Sequence, residues 1–249
     1  MPGSNKQNAT SGSSARKVLQ ILLAFSEYRQ SATVPELAEI IGSPTPTTYR
    51  YVALLKELHL LEEGAAGRYH PTANVMPIAR AAQLSNNIAR IAAPIIAHTV
   101  DELGETVMLM QTLGDSVVCI EGKESDKRMR YTFDRGHSIP MGLGATGKMA
   151  LASVQPETQE AWLENSNASE RLRTDITQAR ERQFATSLSE LEMGTWAACV
   201  PVLVANERPI VLTMAAPAAR ISDAMRQVVL ETLADSASEI RAKYREYSI

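Results

Sequence analysis

Residues 33–58 limit what this chain can fold into more than any other stretch. Thr33-Val34-Pro35-Glu36 is a capping box with proline in the first turn, where a missing N–H is harmless. Leu37, Ile40 and Ile41 follow as an inward face, and Gly42 stops that short helix. Ser43-Pro44-Thr45-Pro46 then offers a capped start to a second helix, TTYRYVALLKEL, which carries Val52, Leu55 and Leu58 inward. So little chain between the stop and the start allows only a tight turn. A short helix, a tight turn and a second helix make a helix-turn-helix.

The flanks extend that motif. Upstream, Ser14 is a plausible N-cap for ARKVLQILLAFSEY, where Val18, Leu22 and Phe25, with Leu19 and Leu23 beside them, form one apolar stripe. Residues 1–13 are polar and Ser-rich and read as a loose leader, with neither a signal core nor a transit pattern, so a cytoplasmic protein is expected. Downstream, residues 60–63 and 68–70 around a Gly64-Ala65-Ala66-Gly67 tip read as a small hairpin. Residues 14–72 are therefore expected to be a winged helix-turn-helix.

An alanine-rich segment interrupted by Pro77 follows, and residues 73–88 read as a linker helix. A further helix is expected over 88–103, ended by Gly104 and kinked or started near Pro94. The pattern then changes to strands. Residues 105–113 and 116–122 flank a Gly114-Asp115 turn, 128–134 reads as a third strand, and 195–204 and 209–216 make a second hairpin joined at 205–208. A helix opens at Gly144 and runs to Ser153, and polar helices lie around 157–164 and 177–184. The last helix has Ser222 as N-cap and a stripe of Met225, Val229, Leu233, Ile240 and Tyr244. Residues 89–249 are thus expected to be a second, α+β domain, an antiparallel sheet covered by helices.

Composition excludes several classes. With 45% hydrophobic and 21% charged residues the chain has ample apolar surface to bury, which removes wholesale disorder, and no apolar run reaches the length of a membrane span. Cys119 and Cys199 form no CxxC pair and read as buried free thiols, and His59, His70, His98 and His137 show no metal-ligand spacing, so no metal or cofactor is expected. Gly142-Leu143-Gly144-Ala145-Thr146-Gly147-Lys148-Met149 resembles a phosphate-binding loop but has Met149 where a hydroxyl should hold magnesium. What remains there is a helix start whose small residues, Gly144, Ala145, Thr146 and Gly147, let an anionic or strongly polar ligand approach the backbone. Asp134, His137 and Glu190 are the groups a cleft would bring together, but no nucleophile motif accompanies them. Catalysis is not expected. The alternatives are an enzyme using the C-terminal cleft or a pure oligomerisation module.

Net charge is −3, and residues 13–72 carry six Lys+Arg against six Glu, so any DNA contact depends on where charges sit. The second helix of a helix-turn-helix enters the major groove by its first turns. Here those present Thr45, Thr47, Thr48, Tyr49 and Arg50, with hydroxyls and a guanidinium suited to base edges and phosphates. Arg68 at the wing tip is expected to reach the backbone or the minor groove, and Arg16 and Lys17 stand where the first helix starts.

These segments resemble the isocitrate lyase regulator (IclR) family of bacterial transcription factors. The resemblance is carried by KVLQILLAF, VPELAEIIG, TTYRYVALLKEL and GRYHPT, then DELGETVML, RGHSIPMGLGATGKMALAS, SELEMGTWAACVPV and PIVLTMAAP, in order over nearly the whole chain. It implies a winged-helix domain bound to double-stranded operator DNA, a linker helix and a GAF-like (profilin-like) effector domain. It also implies a homodimer through the N-terminal parts, often paired into a tetramer, that represses or activates nearby metabolic genes when a small metabolite binds. Carried over residue by residue, the family's pocket falls on Ala145 and Thr146 at the helix start, with Tyr131 as a lining position. Ser187 stands at an acidic position, Ala197 at a cysteine, Thr195 at a leucine, and Thr213 and Ala215 at two serines. Loss of an acid, a thiol and a hydroxyl implies a less polar pocket, suited to an aromatic or otherwise bulkier carboxylic acid. In the recognition helix, Thr45 and Pro46 replace a lysine and a serine common in the family.

Overall fold

The computed structural model describes residues 6–26, 28–205 and 207–247, with the side chains described from Ser14 onward. The chain divides into two compact units, Met1–Ser85 and Asn86–Ile249. The first comprises α1 (Lys6–Leu23), β1 (Ala32–Thr33), α2 (Val34–Ile40), α3 (Thr45–Glu57), β2 (Leu61–Glu63), β3 (Arg68–Pro71) and α4 (Met76–Ser85).

The capping box forms as the residues dictate: the Glu36 amide donates to Thr33 Oγ1 and the Thr33 amide to Glu36 Oε2, at 3.4 and 2.7 Å. Gly42 takes the left-handed backbone (φ 58°) that ends α2. Ile21, Val34, Leu37, Ile41, Val52, Leu55, Leu61 and Tyr69 then close one core.

Four local expectations are corrected here. Helix α1 starts at Lys6 rather than Ser14, because extending a helix adds one hydrogen bond per residue and needs no apolar face; residues 1–5 of the expected leader lie outside the described residues. Ile40 and Leu58 face solvent, and Ala38 and Thr48 take their inward places, since the buried row of α3 is Thr48, Val52 and Leu55. The start expected within Ser43-Pro44-Thr45-Pro46 falls at Pro44 as N-cap and carries no side-chain cap. The wing gains a strand, because β1 pairs with β3 to give the order β1-β3-β2.

The expected linker helix over 73–88 is a 3-10 turn followed by α4, and the helix breaks at Asn86, whose side chain caps the next helix through the Ala89 amide at 3.1 Å.

The second unit comprises α5 (Asn87–Leu103), β4 (Thr106–Leu113), β5 (Ser116–Lys123), β6 (Ser138–Pro140), α6 (Gly144–Ser153), α7 (Pro156–Asn165), α8 (Glu170–Arg182), β7 (Ala185–Leu188), β8 (Thr195–Val202), β9 (Ile210–Pro217) and α9 (Asp223–Tyr247). The strands form one antiparallel sheet in the order β6-β5-β4-β9-β8-β7. Strand period two sorts the core. Val107, Leu109, Leu212, Met214, Trp196 and Val200 pack with α5 and α9 on one face, and Met108, Met110, Val211, Ala215 and Cys199 pack with α6 and α8 on the other. The α+β architecture expected from the sequence is the one observed.

Residues 128–134 are irregular rather than a strand. Their main-chain groups find side chains instead of a ladder: Arg220 Nη1 donates to Met129 O at 2.7 Å, Thr106 Oγ1 to Tyr131 O at 2.7 Å, and the Phe133 amide to Glu124 Oε1 at 3.2 Å. The third strand of that half of the sheet is β6, which ends in Pro140 at the edge, where a proline removes no ladder bond. Strand β7 was not legible in the sequence, and α8 begins at Glu170, well before the expected 177, capped by Ser169. The hairpin turn expected at 205–208 contains Asn206, outside the described residues. No described helix is long and apolar enough to cross a membrane.

Candidate effector pocket and DNA-reading helix

Because β8 and β9 alternate sides, Thr195, Ala197, Thr213 and Ala215 all face α6. Register then lines up Ser187, Ala197 and Ala215 across three strands, with Thr213 opposite Cys199. Helix α6 closes this face with Thr146, and its Oγ1 lies 3.0 Å from Thr213 Oγ1 in a buried hydrogen bond. Tyr131, held by its own carbonyl, joins Met108 and Ile139 as the apolar wall, and Glu190, Leu191 and Glu192 from the loop between β7 and β8 form the mouth. The cavity is only about 20 Å³, room for roughly one water.

Two glycines of the helix start serve close approach. A Cβ on Gly147 would stand 2.5 Å from Pro140 O, so the helix can lie on β6 only with glycine there. Gly144 has φ 64°, and a Cβ on it would meet Leu191 Cδ1 at 2.9 Å. No side chain caps the N-terminus of α6. The expected pocket residues Tyr131, Thr146, Ser187, Thr195, Ala197, Thr213 and Ala215 thus line one cavity, while Gly144, Ala145 and Gly147 form the adjoining backbone. Glu190, named among the groups a cleft would bring together, lines this cavity without Asp134 or His137, and Met108, Ile139, Leu191 and Glu192 were missed. The alternation of β4 signalled Met108, but nothing in sequence periodicity signals where a loop points.

Lys148, the lysine of the phosphate-loop-like string, has another employment. Its Nζ lies 2.9 Å from Asp175 Oδ2 and 2.8 Å from Glu190 Oε1. Burial works against its charge, but the hydrogen bonds it donates to Glu190 and Asp175 outweigh that and hold the ammonium above its ordinary pKa. Asp134 and His137 sit in a turn closed by the His137 amide on Asp134 O. Burial pushes both thiols up, Cys119 to about 12, so neither is a nucleophile at neutral pH. Among the described residues no three His, Cys, Asp or Glu side chains group as metal ligands.

In the first unit, Tyr49 and Arg50 stand out to solvent from the first turns of α3, with Thr45 and Thr47 half-buried beside them. Two of the residues expected to meet DNA are placed differently from the expectation. Thr48 is fully buried and its hydroxyl bonds Pro44 O at 3.1 Å, because it belongs to the inward row with Val52 and Leu55. Arg68 is not at the wing tip, which is Ala65-Ala66-Gly67; it opens β3 and donates to Ser31 Oγ at 2.9 Å, Ser31 O at 2.8 Å and Glu36 Oε1 at 3.3 Å, clamping the wing to α2. Lys17 donates to Gly42 O at 3.0 Å, and Arg16 is exposed.

A winged helix-turn-helix with an exposed arginine on its second helix, followed by an α+β domain, is the build of a DNA-binding regulator. The family model described as the bacterial transcriptional regulator IclR C-terminal domain matches residues 81–242, and the IclR helix-turn-helix domain matches 14–64. The HTH-type transcriptional regulator KipR of Bacillus subtilis strain 168 is 24% identical over 234 residues, 89% of this chain and 93% of that protein. An IclR family transcriptional regulator from Brucella abortus shares the fold with a TM-score of 0.84 at 16% identity, covering 98% of this chain and 96% of that one. An IclR homologue from Microbacterium hydrocarbonoxydans, solved in complex with 4-hydroxybenzoate, superposes with a TM-score of 0.69 at 18% identity over 94% of this chain and 99% of that one. The chain belongs to the IclR family. It is a transcriptional regulator and not an enzyme.

Proposed function

We propose that this regulator senses a small organic acid, with an aromatic acid favoured, and alters its grip on operator DNA near metabolic genes when that acid binds. The observation that carries the reading is the cavity beside an uncapped helix start, in which two bonded hydroxyls, Thr146 and Thr213, face Tyr131, Met108 and Ile139, with Ser187 and Thr195 also in the lining and Glu190 and Glu192 at the mouth. Helix N-termini attract carboxylates, and Tyr131, Met108 and Ile139 suit a ring. The 4-hydroxybenzoate in the Microbacterium hydrocarbonoxydans homologue supports the same ligand class. Because the cavity is nearly shut, ligand binding requires a second conformation, and the difference in affinity between the two is what drives the response.

On the DNA side, Tyr49 and Arg50 with Thr45 and Thr47 read the major groove, and Arg16 grips phosphate. A second copy of the chain is expected to cover apolar surface of the first unit, where Leu19, Leu23, Met76, Ile78 and Leu84 are exposed. A gel shift on the protein's own upstream region, with and without benzoate-type acids, tests the whole reading. Retarded DNA whose mobility the acid changes supports it, and no shift on any fragment of that region removes it.

A further inference from the structure

We propose that the loop over residues 189–194 is a built-in stopper of the effector pocket, with Leu191 as its plug and Lys148 as the positioning residue that latches it. The inference rests on this pocket being the effector site. Leu191 lines the cavity and lies against Gly144, where even a methyl group would collide with it at 2.9 Å, so the plug sits on the helix start itself. Glu190, the preceding residue, lines the mouth and also reaches Lys148 at 2.8 Å, while Asp175 of α8 holds the other side of the same ammonium at 2.9 Å. The Lys148 side chain is 11% exposed and that of Glu190 is 30% exposed, so the pair is shielded enough to bind rather than merely to decorate the surface.

The loop is otherwise weakly tied. Its own bonds are the Ser189 amide to Thr195 O at 2.8 Å, the Gly194 amide to Ser189 Oγ at 3.0 Å and the Thr195 amide to Glu192 O at 3.1 Å, and the Ala218 amide donates to Gly194 O at 2.7 Å, which ties down its C-terminal end but leaves residues 190–193 to the latch and the plug. Met193 at its tip is 95% exposed. One charged latch and one apolar plug therefore decide whether the cavity of about 20 Å³ stays shut. A ligand that exchanges with this stopper must place an apolar body where Leu191 lies and present an acceptor to the Thr146 and Thr213 hydroxyls. Lys148 does not touch it. The lysine acts only through Glu190, and the apparent affinity falls by the fraction of molecules whose loop is open.

Amide hydrogen exchange on the full chain reads the latch without any ligand. In Lys148→Met and in Glu190→Gln the amides of Ser189, Gly194 and Thr195 should exchange about tenfold faster, and the double variant no faster than either single one. Amides in β4 and β9 should keep their wild-type rates. Wild-type exchange at the three loop amides in a folded Glu190→Gln protein overturns the proposal; should Lys148→Met fail to fold, Glu190→Gln carries the test alone. In calorimetry with 4-hydroxybenzoate, tighter binding by Glu190→Gln and by Leu191→Ala than by wild type supports the stopper, and equal affinity in all three overturns it. Faster loop exchange without 4-hydroxybenzoate binding in any variant supports the stopper and removes the aromatic-acid reading.

Discussion

Thr146 Oγ1 and Thr213 Oγ1 bond each other at 3.0 Å across the interface between α6 and β9. Each hydroxyl is the other's answer to burial, since both residues are at most 2% exposed. Thr213→Val should therefore lower unfolding free energy by about 1–2 kcal/mol, because the remaining hydroxyl is stranded in an apolar wall. Adding Thr146→Val should recover part of that loss. Urea denaturation of the two variants checks the sign of the second step.

The carboxylate of Glu105 is the deepest charge described in the second unit, with 2% of its side chain exposed. Arg220 meets it with two nitrogens, at 2.7 and 2.6 Å, and Lys127 adds a third contact at 3.0 Å. Glu105→Ala should cost about 3 kcal/mol, since it removes the carboxylate that Arg220 and Lys127 share and loosens the Arg220 hold on Met129 O in the 128–134 segment. A drop in urea midpoint with unchanged denaturant slope is the expected record.

Gly147→Ala should destabilise by about 2 kcal/mol, because the added carbon meets main-chain oxygen of Pro140 at 2.5 Å and only a shift of α6 relieves it. Thermal melting of the purified variant measures this.

Arg50→Ala should weaken operator binding and reduce the slope of log affinity against log salt by about one if the guanidinium meets a phosphate, or relax sequence preference if it meets a base. Thr48→Val should leave DNA affinity as it is, because the hydroxyl is turned inward to Pro44 O. A salt series of gel shifts separates the two positions.

The Thr33 amide, with help from Arg68, holds the Glu36 carboxyl below its ordinary 4.5, and Lys56 with Tyr69 does the same for Glu63. Both folded-state values are depressed, so their stabilisation is complete above about pH 4.5 and is lost as the pH falls through the lower folded values. The first unit should melt at progressively lower temperature below that pH, and Glu36→Gln should flatten the dependence. Circular dichroism melts across an acid series read it.

The sequence by itself determined whatever local chemistry writes. The capping box at Thr33 and Glu36, the stop at Gly42, the alternation of β8 and β9 and the Ser222 cap are decided within a few residues, since they depend on helix and strand periods and on nearby donors. That was enough for the helix-turn-helix and the α+β class, whereas Thr195, Ala197, Thr213 and Ala215 were implied by the resemblance to the family and not by period. Only the tertiary structure decided that Thr48 turns inward, that Arg68 clamps Ser31 and Glu36, that Tyr131 rides on an irregular segment and that Leu191 lines the cavity. Apart from Thr48, whose hydroxyl bonds Pro44 O four residues away, each depends on a partner far along the chain, as Arg68 does on Ser31 across 37 residues and the Tyr131 carbonyl on Thr106 across 25. Pairings at such separation are chosen by packing of the finished fold, and a short window of sequence holds no trace of them.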